Sequence, residues 1–335
     1  MATESPSLPW TGLSEQDGYF SRENIGPEAG RFFDDNGYLV VTDGADAGEL
    51  ETLLKETVAI ARGERGAIGG SPWGETGKAP AALDDDAVQK QVLCIHHPHK
   101  ISETIYQALA LPTIKDVCTT VVGPNVKCMQ SMLFIKAAGK PGQAWHQDED
   151  YIPTRDRSLI GAWIAMDPAT TENGCLWVIP GSHKPGILWP QYPHKDPRFD
   201  CASEAYDFPY SDEDSIPVQV PAGAIVFFNG YLLHRSLPNK AKTGYRRVLV
   251  NHYMSAESHL PWFGVGNEME YKSSVAKADY RDIVMIAGED PYAWKGIREI
   301  ARPHIRAAGE GGCGDGREHL ADWKAKKDVE TRMKA

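Results

Sequence analysis

The stretch AWHQDEDY contains the first residues whose types and spacing suit chemistry. His146 and Asp148 are separated by one residue. On an extended segment alternate side chains project to the same side. An imidazole and a carboxylate then converge on one point while Gln147 faces away. Nitrogen and oxygen donors so placed suit a divalent ion. The spacing alone has little weight, because His194 and Asp196 repeat it. Around that second pair Pro190, Pro193 and Pro197 argue against a strand. His146 instead follows one apolar run and precedes another, as expected at the rim of a β-core.

A third donor comes from His234, at the end of the apolar run AGAIVFFNGYLLH. Two histidines and one carboxylate on one face of an octahedral ion leave three adjacent positions open, the pattern of non-haem Fe(II) oxygenases. A structural zinc site would need a fourth protein ligand, and none is apparent in the sequence. After His234 a polar turn leads into YRRVLVNHY, expected to return as a strand paired with the first in a hairpin. Arg246, Val248, Val250 and His252 share one face of that strand; Arg247, Leu249 and Asn251 share the other. An inward arginine beside the metal would hold a carboxylate through two parallel N–H···O bonds.

These stretches, with IHHPHK, GPNVKCMQSMLFIKAAG and AWIAMDPATTENGCLWVIPGSHK, resemble the phytanoyl-CoA dioxygenase family of Fe(II)/2-oxoglutarate-dependent oxygenases. The resemblance covers roughly Gly37 to Ala256, and ENGCLWVIPGSH is its most specific part. It implies a double-stranded β-helix (a cupin-like jelly roll, mainly β with flanking helices) with iron at one mouth. His146, Asp148 and His234 match its metal ligands. Arg246 matches the arginine that binds 2-oxoglutarate, and Ser236, Trp163 and Met132 would line that pocket. The family usually places its arginine one residue nearer the distal histidine. Tyr245 stands at that position here, which implies a one-residue insertion and leaves Arg247 as the alternative. The implied reaction uses O2, converts 2-oxoglutarate to succinate and CO2, and oxidises, most simply hydroxylates, a small metabolite such as one of secondary metabolism. Retention of Asp148 favours oxidation over halogenation. Trp145, Glu149 and Tyr151 flank the ligand pair as substrate contacts. The rival reading is a 2-oxoglutarate-independent cupin-type metalloenzyme, which has no need of Arg246.

Positioning such a site requires a strand-rich scaffold. Short apolar runs at 126–137, 158–167, 174–181, 215–234 and 245–256 are separated by Gly/Pro turns, as in a sandwich or barrel. Before them, Pro27–Asn36, Ala47–Gly63, Ser102–Leu109 and Pro112–Val121 read as helices, and Gly37–Asp43 as a strand. Residues 64–90, rich in Gly, Pro and Asp, read as a loop and candidate lid. The expected organisation is one domain over 1–335, with a helical region at 26–125, a β-core at 126–256 and a helical extension at 267–335.

Composition sets the outer limits. The net charge is −11, with 35 Lys plus Arg against 46 Asp plus Glu. That balance argues against nucleic-acid partners, whose phosphates demand a basic surface. No apolar run is long enough to span a bilayer, so no membrane role is expected. The N-terminus lacks a secretory pattern, and six scattered cysteines without a C-x-x-C pair suit free thiols in the cytoplasm.

Overall fold

The computed structural model describes residues 8–66, 68–200, 203–259, 281–299 and 301–308. The N-terminal region opens with strand β1 (Tyr19–Phe20), helix α1 (Pro27–Asn36), strand β2 (Tyr38–Val41) and helix α2 (Ala47–Ala61). Pro27 starts α1, where its missing N–H costs nothing. Gly37 closes that helix at φ 80°, with the His183 ring where a Cβ would stand. Asp46 and Glu49 form a reciprocal capping box at the start of α2. Then follow α3 (Asp85–Lys90), β3 (Val92–His96), α4 (Glu103–Ala108) and α5 (Pro112–Val121). Residues 64–90, expected as a loop, thus end in a helix, and Arg62 ties it to α2 through Asp85.

The core strands are β4 (Val126–Ala137), β5 (Gln143–His146), β6 (Ile160–Ala165), β7 (Leu176–Val178), β8 (Gln191–Pro193), β9 (Ser203–Ala205), β10 (Ile216–Val218), β11 (Ile225–Asn229), β12 (His234–Ser236) and β13 (Tyr245–Ser255). The short helix α6 (Asp148–Tyr151) follows β5. The larger sheet runs β1-β2-β11-β6-β13-β4-β3 and then two strands of the C-terminal region join it: β15 (His304–Ala307) beside β3, and β14 (Val284–Ala287) beside β4. The smaller sheet runs β10-β7-β12-β5, and β8 pairs with β9. This is a mainly β jelly roll with helices laid on one side.

Alternation along the strands explains why the larger sheet is apolar on both faces. Ile225, Phe227, Leu249 and Leu133 point towards Leu53, Ile60, Ile105, Ile114 and Val117 of the helices. Val226, Phe228, Val248, Val250 and Trp163 point towards Leu176 and Val178 of the smaller sheet. Two buried faces replace the in–out polarity alternation of a one-sided strand with continuous apolar runs such as IVFF. Each large side chain removed from water contributes roughly 1.5–3 kcal/mol.

Three sequence expectations are corrected. The run 215–234 is not one strand: β10 and β12 lie in the smaller sheet and β11 in the larger. The chain reverses at Asn229, whose side chain accepts from the Tyr231 N–H. β12 and β13 are not a hairpin either. β12 pairs with β5 and β7, whereas β13 pairs with β4 and β6. The eight residues 237–244 instead cross between the sheets, anchored where the Asn239 side chain donates to Lys136 O. Finally, the described part of the C-terminal extension contributes the strands β14 and β15 where helices were expected; residues 267–280, 300 and 309–335 of that extension lie outside the described residues.

Candidate metal centre

His146 and His234 face each other directly across the antiparallel β5–β12 pair, with ring centroids 4.1 Å apart. Asp148 comes not from the same strand, as the spacing suggested, but from the first residue of α6. The chain turns at Gln147, whose side-chain amide donates to Ile187 O and Tyr231 O and so faces away as expected. His146 Nε2 lies 3.7 Å and His234 Nε2 3.6 Å from Asp148 Oδ1. Ligand atoms of all three residues fall within 4.8 Å of one another.

The hydrogen bonds around the triad test whether a metal fits. His146 Nδ1 bonds Ala144 O at 2.7 Å and His234 Nδ1 bonds Leu232 O at 2.9 Å. A carbonyl only accepts, so each Nδ1 carries the proton and each Nε2 presents a lone pair to the centre. Asp148 Oδ2 accepts from His252 Nε2 at 2.9 Å, which leaves Oδ1 for the centre. Although burial opposes it, His234 and His252 beside Asp148 hold its carboxyl well below the ordinary range. Burial, and then His146, push His234 down to about 4. A neutral His234 imidazole and an ionised carboxylate are states that metal ligation demands. Among the described residues no fourth donor joins them, so the set fits an octahedral ion with open positions and not a closed zinc site.

Arg246 is 2% exposed and opens the inward face of β13. Its Nε donates to Gly174 O at 3.2 Å, and its guanidinium lies 5.4 Å from the centre of the Trp163 ring. Arg247 turns to the other face and makes a two-pronged pair with Asp167, at 2.8 and 2.7 Å. Only Arg246 therefore keeps its terminal nitrogens unclaimed among the described residues. Ser236 lies on β12 and accepts from Lys136 Nζ at 2.8 Å. Met132 is opposite Val250 in the β4–β13 register, on the same face as Trp163.

The flanking residues divide. The Tyr151 ring packs 6.2 Å from the His146 ring and its hydroxyl reaches Gln191. Trp145 faces the opposite side of β5 from His146, stacked under Arg235 and bonded to Asp212. Glu149 is 1% exposed and accepts from Thr154, and burial raises it to about 7. It fastens the segment after α6 through Thr154. Two residues escaped the sequence reading. His252 orients Asp148, and Lys136 sits opposite Arg246. The signal for His252 was its place on the Arg246 face of β13; nothing singled out Lys136.

Comparison with known proteins agrees with this geometry. The family model "Phytanoyl-CoA dioxygenase (PhyH)" matches residues 33–248. The peroxisomal phytanoyl-CoA dioxygenase of Bos taurus is 28% identical over 251 residues, 72% of each chain. That of Rattus norvegicus is 27% identical over 303 residues, 87% of each chain. Among solved structures, the non-haem α-ketoglutarate-dependent carbocyclase SnoK from nogalamycin biosynthesis superposes with a TM-score of 0.55 at 20% identity, covering 81% of this chain and all of its own. EctD from S. alaskensis with bound Fe gives 0.51 at 21% identity, covering 72% and 79%. Among the described residues no helix is long and apolar enough to cross a membrane. The match over most of the β-core, set on a jelly roll with a two-histidine, one-carboxylate centre, shows that the chain belongs to the phytanoyl-CoA dioxygenase family, whose enzyme class is that of the iron- and 2-oxoglutarate-dependent dioxygenases.

Proposed function

We propose that the protein hydroxylates a small-molecule metabolite, with 2-oxoglutarate decarboxylated to succinate and CO2. The observation that carries this reading is the convergence of His146, Asp148 and His234, with both imidazoles turned so that Nε2 faces the centre. These three residues would hold iron, and Arg246 with Ser236, Trp163 and Met132 the 2-oxoglutarate. When bound, the two groups supply the reduction of O2 and the oxidising power for a substrate C–H bond. The chain's own contribution is position and dryness. Asp148 fills the position that a halide would need, which favours oxygen transfer over halogenation. Phe228, whose ring centre lies 4.7 Å from that of His234, walls the interior with Trp163 and Val250 of the same apolar layer and limits the access of water. Tyr151 beside His146 is retained as a substrate contact at the mouth.

The nogalamycin-biosynthesis enzymes among the structural neighbours support a small natural-product substrate. A single folding domain over the whole chain, and a cytoplasmic location, belong to the same reading. Support for the location comes from Cys118, Cys128 and Cys175, which are buried and form no disulfide among the described residues.

The test is anaerobic addition of Fe(II) and 2-oxoglutarate to the purified protein, followed by O2. A weak visible charge-transfer band and then succinate are expected. No band and no succinate would overturn the reading and return the centre to metal-only chemistry. Asp148→Ala should abolish succinate release.

A further inference from the structure

One continuous cross-strand row runs over the inner face of the larger sheet. Trp163 on β6 is opposite Val250 on β13, and Val250 is opposite Met132 on β4. Met132 is opposite His96 on β3, and His96 is opposite His304 on β15. Directly opposed residues project to the same face. The row that starts at Trp163 and Met132 thus ends, at the sheet edge, in two imidazoles. Their ring centres are 4.2 Å apart and their planes 6° from parallel. The His304 ring is anchored by a hydrogen bond to Arg302 O. Arg306, two residues along β15, is buried on the same face. It stands opposite Cys94, with its guanidinium 6.0 Å from the centre of the Phe134 ring.

His96 Nε2 is shielded from solvent yet has no hydrogen-bond partner among the described residues. A buried polar atom left so costs free energy until a ligand satisfies it. Burial foremost, then His304 and Arg306, hold this ring well below the usual histidine value. Arg306 is the permanent charge whose field reaches both rings. Its partner Asp200, at 3.2 Å, acts on Lys136 and Arg246 instead. The end of the row is therefore electropositive. β15 also lies beyond residues 33–248, which the family model describes, as suits a part that chooses the substrate and not one that runs the shared chemistry. We propose that β3 and β15 build the far end of the substrate cavity, where His96 Nε2 and the Arg306 guanidinium hold a carboxylate of the substrate and His304 positions the His96 ring by stacking on it. This rests on the functional reading above and adds a substrate class: a small organic acid, held by its carboxylate at the β15 edge and oxidised at a carbon nearer the metal. The guanidinium supplies a planar fork and the imidazole a single lateral donor.

Calorimetric titration of the anaerobic Fe(II) protein, saturated with 2-oxoglutarate so that its own residues are filled, tests this. The probes are butanoate, hexanoate and octanoate, each against its amide, which has the same shape without the charge. At least one acid is expected to bind about tenfold more tightly than its amide, the effect of one charge-assisted contact. Arg306→Met and His96→Phe should each erase that preference. His304→Ala should weaken it and His304→Phe, which keeps a stacked ring, should restore it. The half-saturating 2-oxoglutarate concentration, read by the visible charge-transfer band, should stay unchanged in all four variants. Equal binding of acids and amides by wild type would overturn the proposal, as would a preference that survives His96→Phe. A matching loss of 2-oxoglutarate binding would assign these residues to the cosubstrate and overturn it too. If Arg306→Met does not fold, the His96 and His304 variants decide. Absence of the band in wild type would remove the functional reading and this proposal together. A band in wild type without a preference for the acids removes the proposal alone.

Discussion

At the residue scale, the centre divides into ligands and the groups that aim them. His252 donates to Asp148 Oδ2 and is itself 4% exposed. Partners of this kind typically govern metal affinity 10–100-fold. His252→Ala is therefore expected to weaken Fe(II) binding by about that factor while leaving the fold intact. Calorimetric titration of Fe(II) or Mn(II) checks it, and unchanged affinity would remove His252 from the site. The arginines separate cleanly. Arg246→Ala should raise the 2-oxoglutarate requirement, whereas Arg247→Ala breaks a pair with Asp167 about 17% exposed and should cost about 1 kcal/mol of stability without that effect. The reverse pattern would mean that Arg247 is the cosubstrate anchor. The ligands were legible in the sequence because donor types and strand context narrow the choices. Lys136 was not, because its meaning lies in its partner across the sheet, and register between distant strands is not written locally.

At the element scale, tight crossings hold Arg246 in place. Gly174 sits at φ 84°, and a Cβ there would meet Leu237 O at 2.3 Å. Only glycine takes that backbone position cheaply. Gly174→Ala should destabilise the protein by on the order of 1–3 kcal/mol and also raise the 2-oxoglutarate requirement, because Gly174 O fixes Arg246. Chemical denaturation alongside cosubstrate titration checks both, and a neutral outcome in each would show that the crossing is compliant. The helices Pro27–Asn36 and Pro112–Val121 were readable to the residue, since proline and the apolar period mark them. The β12–β13 crossing was misread as a hairpin because a polar turn between two apolar runs has the same composition in either topology. Long-range pairing decides between them.

At the scale of the whole molecule, buried histidines set the acid limit. Burial foremost pushes His97 to about 4 and His99 to about 3, and neither touches the metal triad. The unfolded chain protonates its histidines near 6.5, well before these buried rings. Their contribution is thus complete above about pH 6.5 and is lost as pH falls through that value towards 3–4. Each costs up to about 2 kcal/mol between pH 6.5 and 5. The unfolding midpoint in urea should fall over that range, and His99→Asn should flatten the fall; a pH-independent midpoint would contradict the assignment. The sheets have a further consequence. The metal ligands belong to the smaller sheet and α6, while Arg246 and Lys136 belong to the larger. The polar bonds Lys136–Ser236 and His252–Asp148 cross the gap, in which Val226, Val248 and Val178 share one apolar layer. On the proposed function the molecule would work as a calliper, with one jaw for each end of the reaction centre and that valine layer between them. Selection on the spacing of the jaws can then retune which acid and which substrate fit, through core residues that touch neither.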